Sequence, residues 1–431
     1  FRSFAGMVMG EHVAGTEFVI GPMFLVYGAS LSDVFLGLLI GNILAVLSWT
    51  FITAKTATRI RTTIFYQLEK ISGVKVSTFY NVINGLMFTF PAAAMIAVSA
   101  TAFGVPFGME LNSSDILPQS LNWIVFVVLV GSVITVVATF GYDLVSKFAN
   151  IFAPWMPLVF LAGGIVMLKQ LGVNSLESFW EIANEKIWTG IPAVGKAKFT
   201  IWHVAAFAWL CNAQMHIGLG DTTIYRYARK WYYGFASALG TFIGHYMAWI
   251  ASGIMCAAVF GDITPGNIAY AAMGIVGIIT VVVAGWTTAN PTLYRAGLAL
   301  SVIFPKYKRW KITFIVGITA TVLACFPGVI TELLNFLAFY ALLVAPVGAI
   351  VWTDVYLLKK FKLYDDYATK TGISINWAVV LSWSITFLGA IFYFHFYGIK
   401  GMHFFLAFPA WIVTALLYIL FSKFFQKKIN I

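Results

Sequence analysis

The chain reads as an all-α polytopic membrane protein with twelve transmembrane helices, and three observations carry that reading. Of its 431 residues, 61% are hydrophobic and only 10% charged, with a mean hydropathy of +0.88. A soluble domain keeps about 25% charged residues to cover its surface. The apolar runs are long enough for spans of about 20 residues, and lipid forces the backbone to satisfy its own hydrogen bonds as helix. The short alternating segments of a β-barrel are absent. Finally, the basic residues collect in alternate loops.

Divided at charged and turn-rich breaks, the chain gives spans near 3–28, 32–54, 77–104, 121–140, 144–170 and 199–220, then 231–260, 268–302, 311–329, 331–358, 374–397 and 402–424. The tightest joints are Gly28–Ser32, Gly141–Asp143 and Pro327–Gly328. With the N-terminus cytoplasmic, 22 of the 27 Lys and Arg fall on that side, including Arg2, Arg226, Arg229, Arg295, Lys360, Lys427 and Lys428. Lys169, Lys186, Lys196, Lys198 and Lys400 remain outside. The positive-inside bias therefore predicts two cytoplasmic termini in a plasma (inner) membrane. It also explains the net charge of +11 without a nucleic-acid partner. Phe1 is not an initiator residue, so a preceding segment is expected.

The outer connections near 103–120 and 171–198 carry Glu110, Asp115, Glu177, Glu181 and Glu185. The second suggests a short amphipathic helix with Phe179, Trp180 and Trp188 toward lipid. Cys211, Cys256 and Cys325 lie in apolar stretches without metal-ligand spacing, so neither a disulfide framework nor a zinc site is expected.

Ionisable residues inside spans mark function by default. The first span holds Glu11, His12 and Glu17 beside Gly10 and Gly15, which predicts a helix broken around Gly10–Thr16. Its freed carbonyls can then bind a cation. The competing arrangement is an intact helix whose acids meet His203, His216 or His245. The sixth span repeats the theme, mixing Asn212, Gln214, His216 and two glycines over Cys211–Gly220. Two broken helices five spans apart suggest inverted repeats at 1–170 and 199–358, joined by 171–198 and followed by spans 11–12 and the C-terminus at 359–431. In the eighth span, Thr287 and Thr288 offer adjacent hydroxyls suited to a small alkali cation, although each can instead bond its own helix.

The polar groups cluster at mid-depth, whereas a channel needs a continuous polar file. An intramembrane enzyme needs a catalytic motif, and His203, His216 and His245 stand 13 and 29 residues apart with none between them. A secondary transporter is the class that remains, with a transporter-like sensor as its rival.

In this light the sequence resembles the nucleobase–cation symporter family of cytosine permeases and hydantoin transporters. The matching pieces run in order: Leu39–Asn42, Ala54–Thr56, Phe140–Gly141, Arg226–Arg229, Trp286–Thr288 with Leu293–Leu298, Pro346–Gly348, Asp354 with Tyr356, and Ile375–Trp377. The resemblance implies the LeuT-like fold: ten core spans in two inverted repeats plus two peripheral helices. It implies one sodium ion held by the carbonyls of Glu11, Ala14 and Ala284 and the hydroxyls of Thr287 and Thr288, with no other cofactor. The implied substrate set is Gly15, Thr16, Glu17, Phe88, Ala92, Asn212, Gln214, His216, Ala289 and Asn290.

This chain departs from the family pattern at several of these positions. Phe88 replaces the usual Trp, Gln214 replaces an aromatic residue, and Ala289 stands where Asn is usual, with Asn290 next. Thr223 takes an Asp position, with Asp221 two residues earlier. The expected cargo is a nucleobase-like heterocycle. The alternative is a vitamin or cationic compound, such as thiamine, its pyrimidine precursor or pyridoxine, that Glu11 and Glu17 would suit. Glu11 also makes a proton an alternative coupling ion. No sequence feature fixes an oligomeric state.

Overall fold

The computed structural model describes residues 2–109, 115–118, 120–259, 264–398 and 403–426. Phe1, Glu110, Lys400, Lys427 and Lys428 lie outside the described residues. Those described are helical apart from loops and one isolated β-bridge between Ser30 and Thr189. Among them, nine helices are long and apolar enough to cross a membrane. The other three expected spans correspond to two interrupted segments, Arg2–Val26 and Ile201–Tyr225, and to the helix Arg309–Ala324.

The first span divides into Arg2–His12 and Glu17–Val26, so the break falls at residues 13–16, inside the expected window. Gly28, at φ +58°, then turns the chain. Ser30 and Asp33 close a reciprocal cap on the next helix, which satisfies its first free N–H groups. That helix runs on through a π-helical turn at Trp49–Ala54 to Ile60, six residues beyond the expected end. The eighth span also differs from expectation. Gly274, at φ +59°, separates a short helix Pro265–Met273 from the span proper, Ile275–Ile303. Hydropathy cannot see that corner because both flanks are apolar.

The packing follows a twofold pattern. Span 1 packs on span 7, span 6 on span 2, span 3 on span 8, and span 4 on span 9. Exchanging spans 1–5 with 6–10 converts each pair into a member of the same set, as two related five-span repeats require. Glycine permits the close approaches. A Cβ at Gly21 would strike Ser252 and the Trp249 carbonyl, and one at Gly41 would strike Ala208 and the Ala205 carbonyl. Small residues at such interfaces are what lets helices associate in lipid.

The sixth span unwinds from Cys211 to Asp221, with Leu219 left-handed at φ +62°. Its N–H groups bond within the segment, for example Gly218 to the Ala213 carbonyl at 2.8 Å and Asp221 to the Met215 carbonyl at 3.0 Å. Two freed carbonyls are met from other spans. Thr53 Oγ1 donates to the His216 carbonyl at 2.5 Å, and Trp411 Nε1 to the Ile217 carbonyl at 3.1 Å. Span 12, expected at the periphery, thus reaches the central break. At its other end Tyr418 donates to Asp354 of span 10 at 2.9 Å.

The outer connection does contain a short helix, Leu176–Ile182. Trp180 is 46% exposed, but Trp188 is only 1% exposed and packs edge-on to Phe35 at 5.7 Å. Trp188 therefore faces protein rather than lipid: the π-helical turn Ala183–Ile187 carries it under the connection. Cys211, Cys256 and Cys325 form no disulfide among the described residues.

Candidate substrate and ion site

Both helix breaks border one cavity, closed by spans 3, 8 and 10. Its polar lining includes Glu11, Thr16, Glu17, Asn212, Gln214 and Thr288. Its aromatic and aliphatic lining includes Phe88, Phe207, Leu334, Leu337 and Tyr340. Phe88 and Tyr340 meet edge to face at 5.5 Å, and the Tyr340 hydroxyl is anchored on Asn84 Oδ1 at 2.8 Å. The cavity thus combines ring and aliphatic surface with a few hydrogen-bonding groups, the usual make-up of a small-molecule site.

Spans 1 and 8 meet at the expected ion position. Thr288 Oγ1 lies 3.4 Å from the Glu11 carbonyl oxygen and 3.1 Å from that of Ala284. Thr287 Oγ1 is also 3.1 Å from the Ala284 carbonyl, and faces Met156 Sδ at 4.0 Å. Both threonines make the local back-bond open to any helical Thr, but Thr288 also reaches across to the broken helix. The Ala14 carbonyl is turned into the break and accepts from Glu17 N at 3.2 Å.

The carboxyl of Glu11 points away from this oxygen cluster. It takes Arg295 Nη2 at 2.9 and 3.1 Å, and the same nitrogen donates to Asp221 Oδ1 at 2.6 Å. Trp49 Nε1 completes the group by donating to Asp221 Oδ2 at 2.8 Å. Arg295 is 1% exposed within the eighth span, which corrects its sequence assignment to a cytoplasmic loop. Such a charge survives burial only when paired, and its partners lie 284 and 74 residues away in sequence. The only local signal was an arginine within the apolar run Leu293–Leu300.

Glu17 is 1% exposed. Its carboxyl accepts from Ala14 N and Thr16 Oγ1, each at 3.4 Å, and from Trp249 Nε1. Neither acid takes a histidine partner. His12 bonds the Val8 carbonyl, His203 caps its own helix at Thr200, and His245 stacks on Trp249.

Five expected substrate residues lie off the cavity lining. His216 Nε2 donates to the Trp209 carbonyl at 2.9 Å and the ring packs on Trp49, behind the break. Asn290 faces the opposite way, with its amide placed to donate to the Ile134 carbonyl at 3.0 Å and to accept from Trp286 Nε1 at 3.1 Å. Gly15 packs against Val98 and Gly285. Ala92 and Ala289 are fully buried among the helices. An unwound segment has no periodicity from which to read facing direction, and an azimuth error of one residue turns a helical side chain by about 100°.

This is an α-helical membrane fold in which two broken helices meet at a central site, the architecture of LeuT-like transporters. Among solved structures, it is similar to Mhp1, a nucleobase-cation-symport-1 family transporter, in a closed conformation with bromovinylhydantoin bound. The TM-score is 0.72 at 16% identity, covering 98% of this chain and 91% of that one. A sodium-coupled sialic acid symporter, substrate-bound and outward-open, gives 0.70 at 12% identity over 100% and 91%. MhsT in complex with L-phenylalanine gives 0.60 at 14% over 96% and 97%. No family model and no curated protein matches the sequence. The shared property is the LeuT-like fold.

Proposed function

We propose that the chain is a cation-coupled secondary symporter that imports a small nucleobase-like heterocycle by alternating access, with sodium as the coupling ion. The observation that carries this is the convergence of the Glu11 carbonyl with Ala284 and Thr288 at the cavity edge. An ion there bridges two elements that belong to different repeats, and it borders the space in which the substrate would sit. Ion and substrate then raise each other's affinity by the same factor. The functional setting is a multi-pass plasma (inner) membrane protein with both termini cytoplasmic.

A proton is the second reading for the coupling ion, favoured by the Glu11–Arg295–Asp221 triad. With all three groups ionised, it carries one excess negative charge. Either cation would neutralise it.

The test is uptake into proteoliposomes of a panel of nucleobases, hydantoins and pyrimidine vitamins, with sodium and proton gradients imposed separately. Accumulation should follow the sodium gradient. Following the proton gradient alone would select the second reading, and indifference to both would refute symport. Sodium-dependent binding without uptake would identify a sensor.

A further inference from the structure

The segment that opens span 9 is basic and has no acidic counterpart. Phe304–Lys311 carries Lys306, Lys308, Arg309 and Lys311, and no Asp or Glu occurs between Asp262 and Glu332. All four cations are exposed, and none forms an ion pair among the described residues. Asp143, two residues past the joint of spans 4 and 5, is exposed and does not pair with them either. The guanidinium of Arg309 nevertheless has a fixed seat. It lies over the Tyr294 ring of span 8, 5.3 Å from the centroid, and against Gly141, where a Cβ would strike Nη2. A ring face and a glycine hold the group in place without neutralising it.

Arg309 also lines a groove of about 730 Å³ between spans 4 and 9, together with Val136, Thr139, Phe140, Trp310 and Phe314. Span 4 ends at Thr139 and span 9 begins at Arg309. Phe140, Arg309 and Trp310 therefore mark the membrane-surface end of the groove, and Val136 and Phe314 lie about a turn deeper. A second groove, of about 440 Å³, follows the span 8 side of span 9, with Leu300, Phe304 and Ile315 in its lining and Tyr307 and Lys311 from the basic segment. Each groove thus joins an apolar trough to an unpaired cation. An amphiphile with an acyl chain and a negative head complements both parts. A soluble anion would match only the cation, and a zwitterionic lipid would leave its charge uncompensated.

We propose that the groove between spans 4 and 9 is a docking site for an anionic phospholipid, its phosphate held by Arg309 and its acyl chain laid along Val136, Phe140 and Phe314. The planar guanidinium can meet two phosphate oxygens at once, and the Trp310 indole suits the headgroup level. Lys306, Lys308 and Lys311 add attraction to an anionic leaflet, about fivefold in binding for each such residue near the surface. The site stands apart from the central cavity, so it does not depend on which substrate or ion the cavity takes.

The experiment is native mass spectrometry of the purified full chain in detergent, titrated with phosphatidylglycerol and with phosphatidylcholine of the same acyl chains. Phosphatidylglycerol should bind about tenfold more tightly, the value of a hydrogen bond to a charged group. Arg309→Gln should erase that preference. Lys360→Gln removes the same charge from an exposed position outside the groove and should leave binding unchanged. Val136→Trp fills the trough without touching any charge and should weaken phosphatidylglycerol about tenfold. If that variant fails to fold, the contrast between Arg309→Gln and Lys360→Gln still decides. Inorganic phosphate should not displace the lipid. Equal affinity for the two lipids, an equal loss in Lys360→Gln, or displacement by inorganic phosphate overturns the proposal.

Discussion

Replacing Arg295 with methionine would leave Glu11 and Asp221 buried without their shared cation. Breaking a buried pair by removing one partner costs about 3–5 kcal/mol. The expected outcome is a markedly lower unfolding temperature in detergent, partly restored when Asp221→Asn removes the surplus charge. Thr288→Ala acts on a different property. It removes the one side-chain oxygen that spans from helix 8 to the Glu11 carbonyl, so stabilisation by sodium should need about tenfold more ion while the sodium-free protein unfolds as before. Unchanged sodium dependence would move the ion elsewhere. Both threonines and both acids were legible because a polar group in an apolar run is conspicuous by itself. Arg295 was equally conspicuous, but a hydropathy trace does not separate the end of a span from the start of a loop. Its role became visible only when the fold brought Glu11 and Asp221 to it.

At the scale of elements, the broken helices were readable from composition, since glycines beside acids and amides suit no lipid-facing helix. What holds the second break in shape was not readable. The Ile217 carbonyl is satisfied by Trp411, 194 residues away, and Phe408 packs on Trp209 at 4.6 Å, tilted by 53°, just before the break. Trp411→Phe keeps the ring and deletes the donor. Leaving that buried carbonyl unpaired should cost about 1–3 kcal/mol. Because the carbonyl belongs to the substrate-lining segment, ligand binding should weaken along with stability. If binding is untouched, span 12 only supports the fold. The sharp corner at Gly274 and the inward turn of Trp188 were missed for a shared reason: aromatic and apolar residues look alike to a hydropathy window whether they meet lipid or protein.

For the whole molecule, the loop charges predict sidedness, and removing Arg295 from the tally does not change its direction. A cysteine at exposed Lys360 should react with a membrane-impermeant thiol reagent only from inside the cell, and one at exposed Lys196 only from outside. The reverse pattern would invert the topology. Two breaks five helices apart suggested the repeats, but the span-to-span pairing became visible only in the fold, because the halves show no residue-level similarity from which to read it. The buried triad carries this reasoning into electrical terms. In the proposed cycle, sodium bound nearby would cancel its excess negative charge, and the empty protein would keep that charge. Each time the empty protein of that cycle exchanged access from one side to the other, the charge would cross part of the membrane field, where a full elementary charge is worth about 2.3 kcal/mol per 100 mV. An inside-negative potential should therefore speed the unloaded return toward the outside and leave the loaded step nearly untouched, so turnover should rise as the inside becomes more negative.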